Sequence, residues 1–490
     1  MKSKTILSLC LSASFMLGVA AAEAGPSDDL AKMLGMKGGH LVMGDYASPD
    51  GAVSYQGAGW NSGGLDITNL SLRRGDLQIQ ADHLQATNGL LDFHGVTLIN
   101  TKGNLSTLEV GRLRSMGSQA YEILDVLDEN ICPMQAAEAK SGVETSAPSE
   151  ISMEKVRLHA PKDPITNHLK LPGTSGPETI NIASIEGSLR HLENGGLTCL
   201  DIPSAELTGI SLQDATGNRL DIASSSFSSQ SRPMQGQDVS AAFSFGGLRA
   251  VTAQGQNIWK LDSMRIAAHA GPDTVKAFRA AKALIGIKKA LLSPEVIMSG
   301  GGGVSFSLSG LDIPNPAAAP NKPEISPRIS GNASFSLKVA GPAISVVSKT
   351  DMTGVAKSSV DMSFMLSDDT KAKAASAAIE RLRPGAGTLG LMSIIGAKVS
   401  YIDQGMTAII EDRTGQKASD LADKVRSKIA AKAPPEVAGA VAGWVKTALS
   451  DPLGARLSIK PDAPAAVSDI AMTMIMNPIS LVNSLNISTK

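Results

Sequence analysis

Leu77-Gln78-Ile79-Gln80-Ala81-Asp82-His83-Leu84-Gln85-Ala86-Thr87, then Asn88-Gly89, then Leu90-Leu91-Asp92-Phe93-His94-Gly95-Val96-Thr97-Leu98-Ile99, reads as two strands joined by a tight turn. Apolar and polar residues alternate over Leu77 to Ala81, the period of a strand with one covered face. Asn88-Gly89 supplies the two positive-φ positions of a type I′ turn, whose twist matches that of the flanking strands. Taking that pair as the loop sets the register. Thr87 faces Leu90, Gln85 faces Asp92, and His83 faces His94. Strict alternation then puts His83, Asp92 and His94 on the same surface as Leu77, Ile79, Ala81, Val96 and Leu98.

The pattern spreads outward from this hairpin. Leu65 to Leu72 alternates and is closed by Arg73-Arg74-Gly75-Asp76, while Leu105 to Leu113 follows the turn Asn100-Thr101-Lys102-Gly103-Asn104. A helix is expected over Gln119 to Leu127, and the Ala/Ser/Glu-rich stretch from Pro133 to Glu150 reads as a linker. A second meander runs from Ile151 to Ile266. Within it, Thr179-Ile180-Asn181-Ile182-Ala183-Ser184 is echoed by Arg219-Leu220-Asp221-Ile222-Ala223-Ser224 and, more faintly, by Leu261-Asp262-Ser263. Pro314 to Pro327 breaks the pattern, and Ile329 to Phe364 is again strand-like. Helices are expected over Asp369 to Leu382, from a cap at Ser419 to Ala431, and from Pro434-Pro435 to just before Pro452. Short strands at Arg456 to Ile459 and Leu485 to Ser488 end the chain.

The fold class that follows is mainly β with a C-terminal α+β part: antiparallel meander sheets, as an elongated sheet, groove or sandwich, plus packed helices. The expected order is a signal peptide over 1–24, a first meander unit with a helix over 25–132, and a linker over 133–150. A second β-rich unit with an amphipathic helix then spans 151–310, a Pro-rich linker 311–328, and a C-terminal α+β unit 329–490.

The first residues bear on compartment. Lys2 and Lys4 precede an apolar run from Ile6 to Val19, and Ala20-Ala21-Ala22-Glu23-Ala24 offers an A-x-A cleavage site after Ala24. The run is shorter than the ~20 residues of a spanning helix, and Cys10 leaves with the leader. The longest later apolar stretch, Gly385 to Val399, is interrupted by Ser393 and Lys398. The expectation is a periplasmic or secreted chain, soluble once processed. There Cys132 and Cys199, the two remaining cysteines, form a structural disulfide.

Composition removes several function classes. A net charge of −1 gives no basic footprint for nucleic acid. Aromatic residues make up 3% of the chain, too few for the stacking platforms of single-strand or polysaccharide binders. No Gly-x-Ser-x-Gly elbow, His-Glu-x-x-His or convincing Ser-x-x-Lys occurs, so no enzyme and no cofactor is expected. Arg74-Gly75-Asp76 is turn chemistry, and Gly300 to Gly303 leads into a strand without the Lys-Ser/Thr pair of a phosphate loop.

Two residue groups carry sharper chemistry. His83, His94 and Asp92 on one face offer the donor set of a zinc-type site, against the simpler reading of a polar sheet end. On the helical stretch Thr274 to Leu292, Lys276, Arg279, Lys282 and Lys289 gather on one side and apolar residues on another. Such a helix lies on an anionic membrane surface or packs on the neighbouring sheet.

The cadence of Leu77 to Leu84, Asn88-Gly89 and Leu91 to Val96 resembles repeats of lipopolysaccharide-transport-type and AsmA-like periplasmic proteins; Leu65 to Leu113 and Thr179 to Ile266 carry it. That resemblance implies long, partly open β-sheets with an apolar trough for lipid chains, and transfers no individual residue. The stretch from Leu457 to Ser488 looks more like exported bacterial proteins of unknown function. Three functions follow: an envelope protein that shields lipid or another apolar ligand in a sheet groove, an interaction module with a closed core, and a metal-dependent hydrolase using His83, Asp92 and His94.

Overall fold

A computed structural model describes residues 26–36, 39–75, 77–100, 107–117, 149–159, 177–194, 197–230, 239–271, 301–323, 325–367, 369–382, 388–430, 435–451, 453–476 and 484–489. The fold is mainly β, built from antiparallel meanders, with most helices near the C-terminus. The chain divides into two units, one of residues 1–231 and 243–258, the other of 232–242 and 259–490.

The first unit opens with helix α1 (Pro26–Met33) and the short strand β1 (Gly44–Ala47). Strands β2 (Val53–Asn61), β3 (Gly64–Arg74), β4 (Leu77–Thr87), β5 (Leu90–Asn100) and β6 (Thr107–Met116) follow. Then come β7 (Ser149–His159), β8 (Pro177–Asn194), β9 (Leu197–Asp214), β10 (Arg219–Gln230) and β11 (Val239–Val251). From β1 to β10 each strand pairs antiparallel with the next. The Asn88-Gly89 register is as read: Thr87 faces Leu90, Gln85 faces Asp92, and His83 faces His94. Because β6 pairs directly with β7, with Leu108 opposite Leu158, the stretch 133–150 does not separate two sheets.

Strict alternation fails at one place in each strand from β3 to β10. The buried residues are Leu65, Ile67, Leu70 and Leu72 in β3, Ile79, Ala81, Leu84 and Ala86 in β4, and Leu91, Phe93, Val96 and Leu98 in β5. Ile151, Met153, Val156 and Leu158 repeat the spacing in β7. Each set steps by two, then three, then two. All of them belong to one apolar core, so both halves of each strand face the same interior. A sheet can do this only by folding across its strands, with one extra residue at the bend. Those extra residues form a row of unpaired positions: Asn69, Asp82, Gly95, Gly111, Lys155, Ala183, Gly209 and Ala223. Every second one is left-handed: Asn69 (φ 49°), Gly95 (φ 62°), Lys155 (φ 53°) and Gly209 (φ 59°), continued by Gly247 (φ 60°) in β11.

The row gives the faint sequence echo a physical meaning. Ala183 and Ala223 of the repeated phrases are the residues that Cβ atoms built on Gly209 and Gly247 would strike. Asp262 stands in the same relation to Gly310 in the second unit. In the first unit's repeated phrases it is an alanine that faces the left-handed glycine of the neighbouring strand. Lys155 is the poorest fit, since a left-handed backbone disfavours any Cβ-bearing side chain by roughly 1–2 kcal/mol. Glycine removes that strain and returns part of the gain as unfolded-state entropy. Lys155→Gly is therefore expected to raise stability by about 0.5–1 kcal/mol, read as a higher urea midpoint with an unchanged slope.

Helix α1 completes this core. Leu30, Ala31, Met33 and Leu34 are all buried and join the same apolar cluster as the strands. Pro26 and the acidic Asp28 and Asp29 suit its first turn.

The second unit contains β12 (Asn257–Ala270), β13 (Gly302–Pro314), β14 (Arg328–Ala340), β15 (Ala343–Thr353), β16 (Ala356–Leu366) and β17 (Met392–Asp403), again a meander of antiparallel neighbours. Helices α2 (Thr370–Leu382) and α3 (Thr388–Leu391) connect β16 to β17. Then come α4 (Met406–Thr414), α5 (Ala418–Ala430) and α6 (Pro435–Ser450). The chain ends with β18 (Ala455–Ile459), β19 (Ala465–Ala466), α7 (Val467–Met476) and β20 (Ser488–Thr489). Pro314 pairs with Arg328, so the Pro-rich stretch 311–328 is two strand ends and the hairpin loop 315–327 between them, and not an interdomain linker. Buried Asn315 fastens that loop: its Nδ2 donates to the Ser326 carbonyl (2.9 Å) and its Oδ1 accepts from the Ala317 amide (3.0 Å).

Candidate functional site

The sheet of the second unit sorts its side chains by face. Register places Ile266, Phe306, Phe335, Ser348, Val360, Val399 and Leu457 in one row across β12 to β18. The adjacent row on the same face is Ala268, Val304, Leu337, Val346, Met362, Ala397 and Ile459. The opposite face carries Arg265, Ser307, Ser334, Lys349, Ser359, Ser400 and Arg456 in one row. Alternation therefore separates a broad apolar surface from a serine-rich, basic one.

At one end the apolar face is covered by helices. There Ala372 of α2 and Leu391 of α3 pack with Ile344, Leu337, Val346 and Phe364. Toward the other end Ile266 is 41% exposed, Val304 44% and Phe335 38%, on three consecutive strands. These are large side chains on one side of one sheet, and a contiguous exposed apolar surface marks a place where something else binds. The first unit differs. Its interior residues Leu65, Ile67, Leu84 and Leu91 have no solvent exposure, so its apolar face is spent on its own core.

The His83–His94 pair is present, but the fold of the sheet puts it on the outer surface of the first unit. Leu84 and Phe93 point inward, so His83, Asp92 and His94 lie on the face opposite Ile79, Ala81, Val96 and Leu98. The shared surface expected from strict alternation is thus corrected by the extra residue at Asp82 and Gly95. Asp92 is only 4% exposed because cations surround it. Arg112 donates to it in fork geometry, from Nε at 2.9 Å and Nη2 at 2.6 Å. Arg114 Nε and His94 Nε2 each lie 3.3 Å away. Burial alone would raise the Asp92 carboxyl, but the Arg112 hydrogen bonds and the charges of Arg112, His94 and Arg114 outweigh it and hold the group below its ordinary range.

That arrangement is poor ground for a divalent ion. His83 Nε2 turns to Asp66, and the two imidazole rings lie 5.7 Å apart at 55°. Two guanidinium groups already neutralise Asp92 and would repel a second cation. Among the described residues no group of three His, Cys, Asp or Glu side chains could hold a metal. The array is a charge-matched cross-strand ladder, extended by Arg112 to Glu154 at 4.0 Å.

The other sequence-predicted residues fall elsewhere. Cys199 lies in β9, whereas Cys132 lies outside the described residues, as do the leader 1–24 and Lys276, Arg279, Lys282 and Lys289. No helix among the described residues is long and apolar enough to cross a membrane. The exposed apolar face was not singled out by sequence reasoning.

A family model whose description reads "Uncharacterized protein" matches residues 336–490, from the middle of β14 through the C-terminal helices. No curated protein and no solved structure matches the chain.

Proposed function

We propose that this is an exported, non-enzymatic protein of the cell envelope whose second unit holds an apolar ligand, an acyl chain of a lipid, against its open sheet face. The supporting observation is the line of Ile266, Val304 and Phe335, each more than a third exposed on adjacent strands of one apolar surface. Covering such surface is worth roughly 25 cal/mol per Å² removed from water. An acyl chain laid across the strands would contact Phe306, Phe335, Ser348 and Val360 in turn, side chains about 4.8 Å apart from strand to strand. This reading matches the trough architecture implied by the periplasmic lipid-transport resemblance.

Native mass spectrometry of the processed protein is expected to show copurifying lipid, and a fluorescent fatty acid should bind. Phe335→Asp places a charge on the face and should weaken probe binding at least tenfold, about 1.4 kcal/mol, while leaving the circular dichroism spectrum unchanged. A lipid-free mass together with no uptake of the probe by the wild-type protein would refute the proposal.

A further inference from the structure

The reverse face of the same sheet offers a second surface of different chemistry. Ser307, Ser334, Lys349, Ser359, Ser400 and Arg456 line an open cleft of about 590 Å³. They stand in one register row, one per strand from β13 to β18, so their side chains leave the sheet on one side. Lys349 and Arg456 are separated by two intervening strands, about 14 Å of backbone at the usual strand spacing. Ser359 and Ser400 occupy the floor between them, their hydroxyls 2.7 Å apart.

Charge in the cleft is unbalanced. Lys357 is paired with Asp351 at 2.7 Å. Lys349 and Arg456 have no acidic partner among the described residues. Two cations flank a floor of hydroxyl groups, each able both to donate and to accept. Phosphoryl or sulfuryl oxygens match the cations, Arg456 with its planar fork and Lys349 as a point charge. The hydroxyl floor matches a ligand that carries hydroxyls of its own. The cleft is also far larger than a bare phosphate needs.

We infer that this cleft binds a small phosphorylated or sulfated sugar, with its anionic group between Lys349 and Arg456 and its hydroxyls on Ser359 and Ser400. The site lies on the face opposite the proposed acyl surface and stands independently of it. The cations are exposed, so binding is electrostatic and weakens as salt rises.

Titration calorimetry of the full chain with glucose 6-phosphate tests the site. Binding at millimolar ligand is expected in low salt. Glucose should fail to bind, and inorganic phosphate should bind more weakly than the sugar phosphate. The double variant Lys349→Gln, Arg456→Gln should lose at least tenfold in affinity, about 1.4 kcal/mol, with an unchanged melting temperature because both side chains are exposed. Fatty-acid probe binding should survive in that variant, which separates failure of this site from failure of the apolar face. Absence of glucose 6-phosphate binding by the wild-type protein overturns the proposal, as does equal binding by the double variant. Sedimentation with phosphatidylglycerol vesicles in the absence of any sugar-phosphate binding would assign the cations to a membrane surface and overturn it too.

Discussion

Replacing Gly209 with valine should destabilise the first unit by about 3 kcal/mol. Gly209 occupies the left-handed region at φ 59°, where a side chain costs roughly 1–2 kcal/mol and a β-branched one sits worst. A Cβ built on it would also lie 2.7 Å from the Cβ of Ala183 on the paired strand, closer than real Cβ atoms approach. Relieving that overlap shifts backbone in a row shared by every strand from β3 to β10, and overpacking of this kind typically costs 1–3 kcal/mol. The midpoint of that unit should fall by roughly 6–12 °C in a calorimetric scan, given ~2–4 °C per kcal/mol for a unit of this size. The two contributions can be separated. Ala183→Gly in the Gly209→Val background should recover the steric part and leave the backbone part, giving a positive coupling in a double-mutant cycle. Simple additivity would mean that the bend row is not the tight contact described.

The bend explains which parts of the fold could be read from the chain. The β4–β5 register was legible because Asn88-Gly89 leaves little freedom in a two-residue loop. The bend was not, because its left-handed positions carry no common signature. Asn69 and Gly95 are ordinary turn residues, and Lys155 is among the last residues expected there. The signal was present in spacing: Ile79, Ala81, Leu84 and Ala86 step by two, three and two, a pattern that strict alternation cannot produce. Extrapolating alternation from Leu77 to Ala81 through Asp82 sent the histidines to the wrong face.

In the second unit, proline and capping chemistry marked the helices that were found. Pro435 starts α6, and Asp369 caps α2 by accepting from the Ala372 amide at 2.7 Å. Strand β17 was missed because Leu391-Met392-Ser393-Ile394-Ile395 reads as an apolar run without alternation, and only pairing with β16 declares it a strand. Helices α4 and α7 were missed as well. Met406 to Thr414 has no buried residues among those described, and so no periodic apolar stripe to detect. The two candidate surfaces were out of reach for a different reason. Which residues of β12 to β17 stay exposed among those described is a property of packing, and strand periodicity is the same whether or not a second layer lies on top.

Asp92 provides the other large effect. Asp92→Asn keeps the shape of the side chain and removes its charge, leaving Arg112, Arg114 and the neighbouring imidazole of His94 clustered without a counter-ion. Removing one partner of a fully buried pair costs about 3–5 kcal/mol. The two guanidinium groups here are each about a third exposed, so water offsets part of that, and a loss of about 2 kcal/mol is expected. The sign of the pH dependence follows from the lowered Asp92 carboxyl. Its stabilisation is complete above the unfolded-state value near ~3.9 and disappears as pH falls through the still lower folded-state value. Melting curves of wild type and Asp92→Asn should therefore differ most at neutral pH and converge in acid. The wild type should lose stability more steeply than the variant below about pH 4. A gap between the two that stays constant from neutral pH down into acid would show that the carboxylate charge does not hold the ladder together, and that Arg112 and Arg114 are placed by backbone register alone.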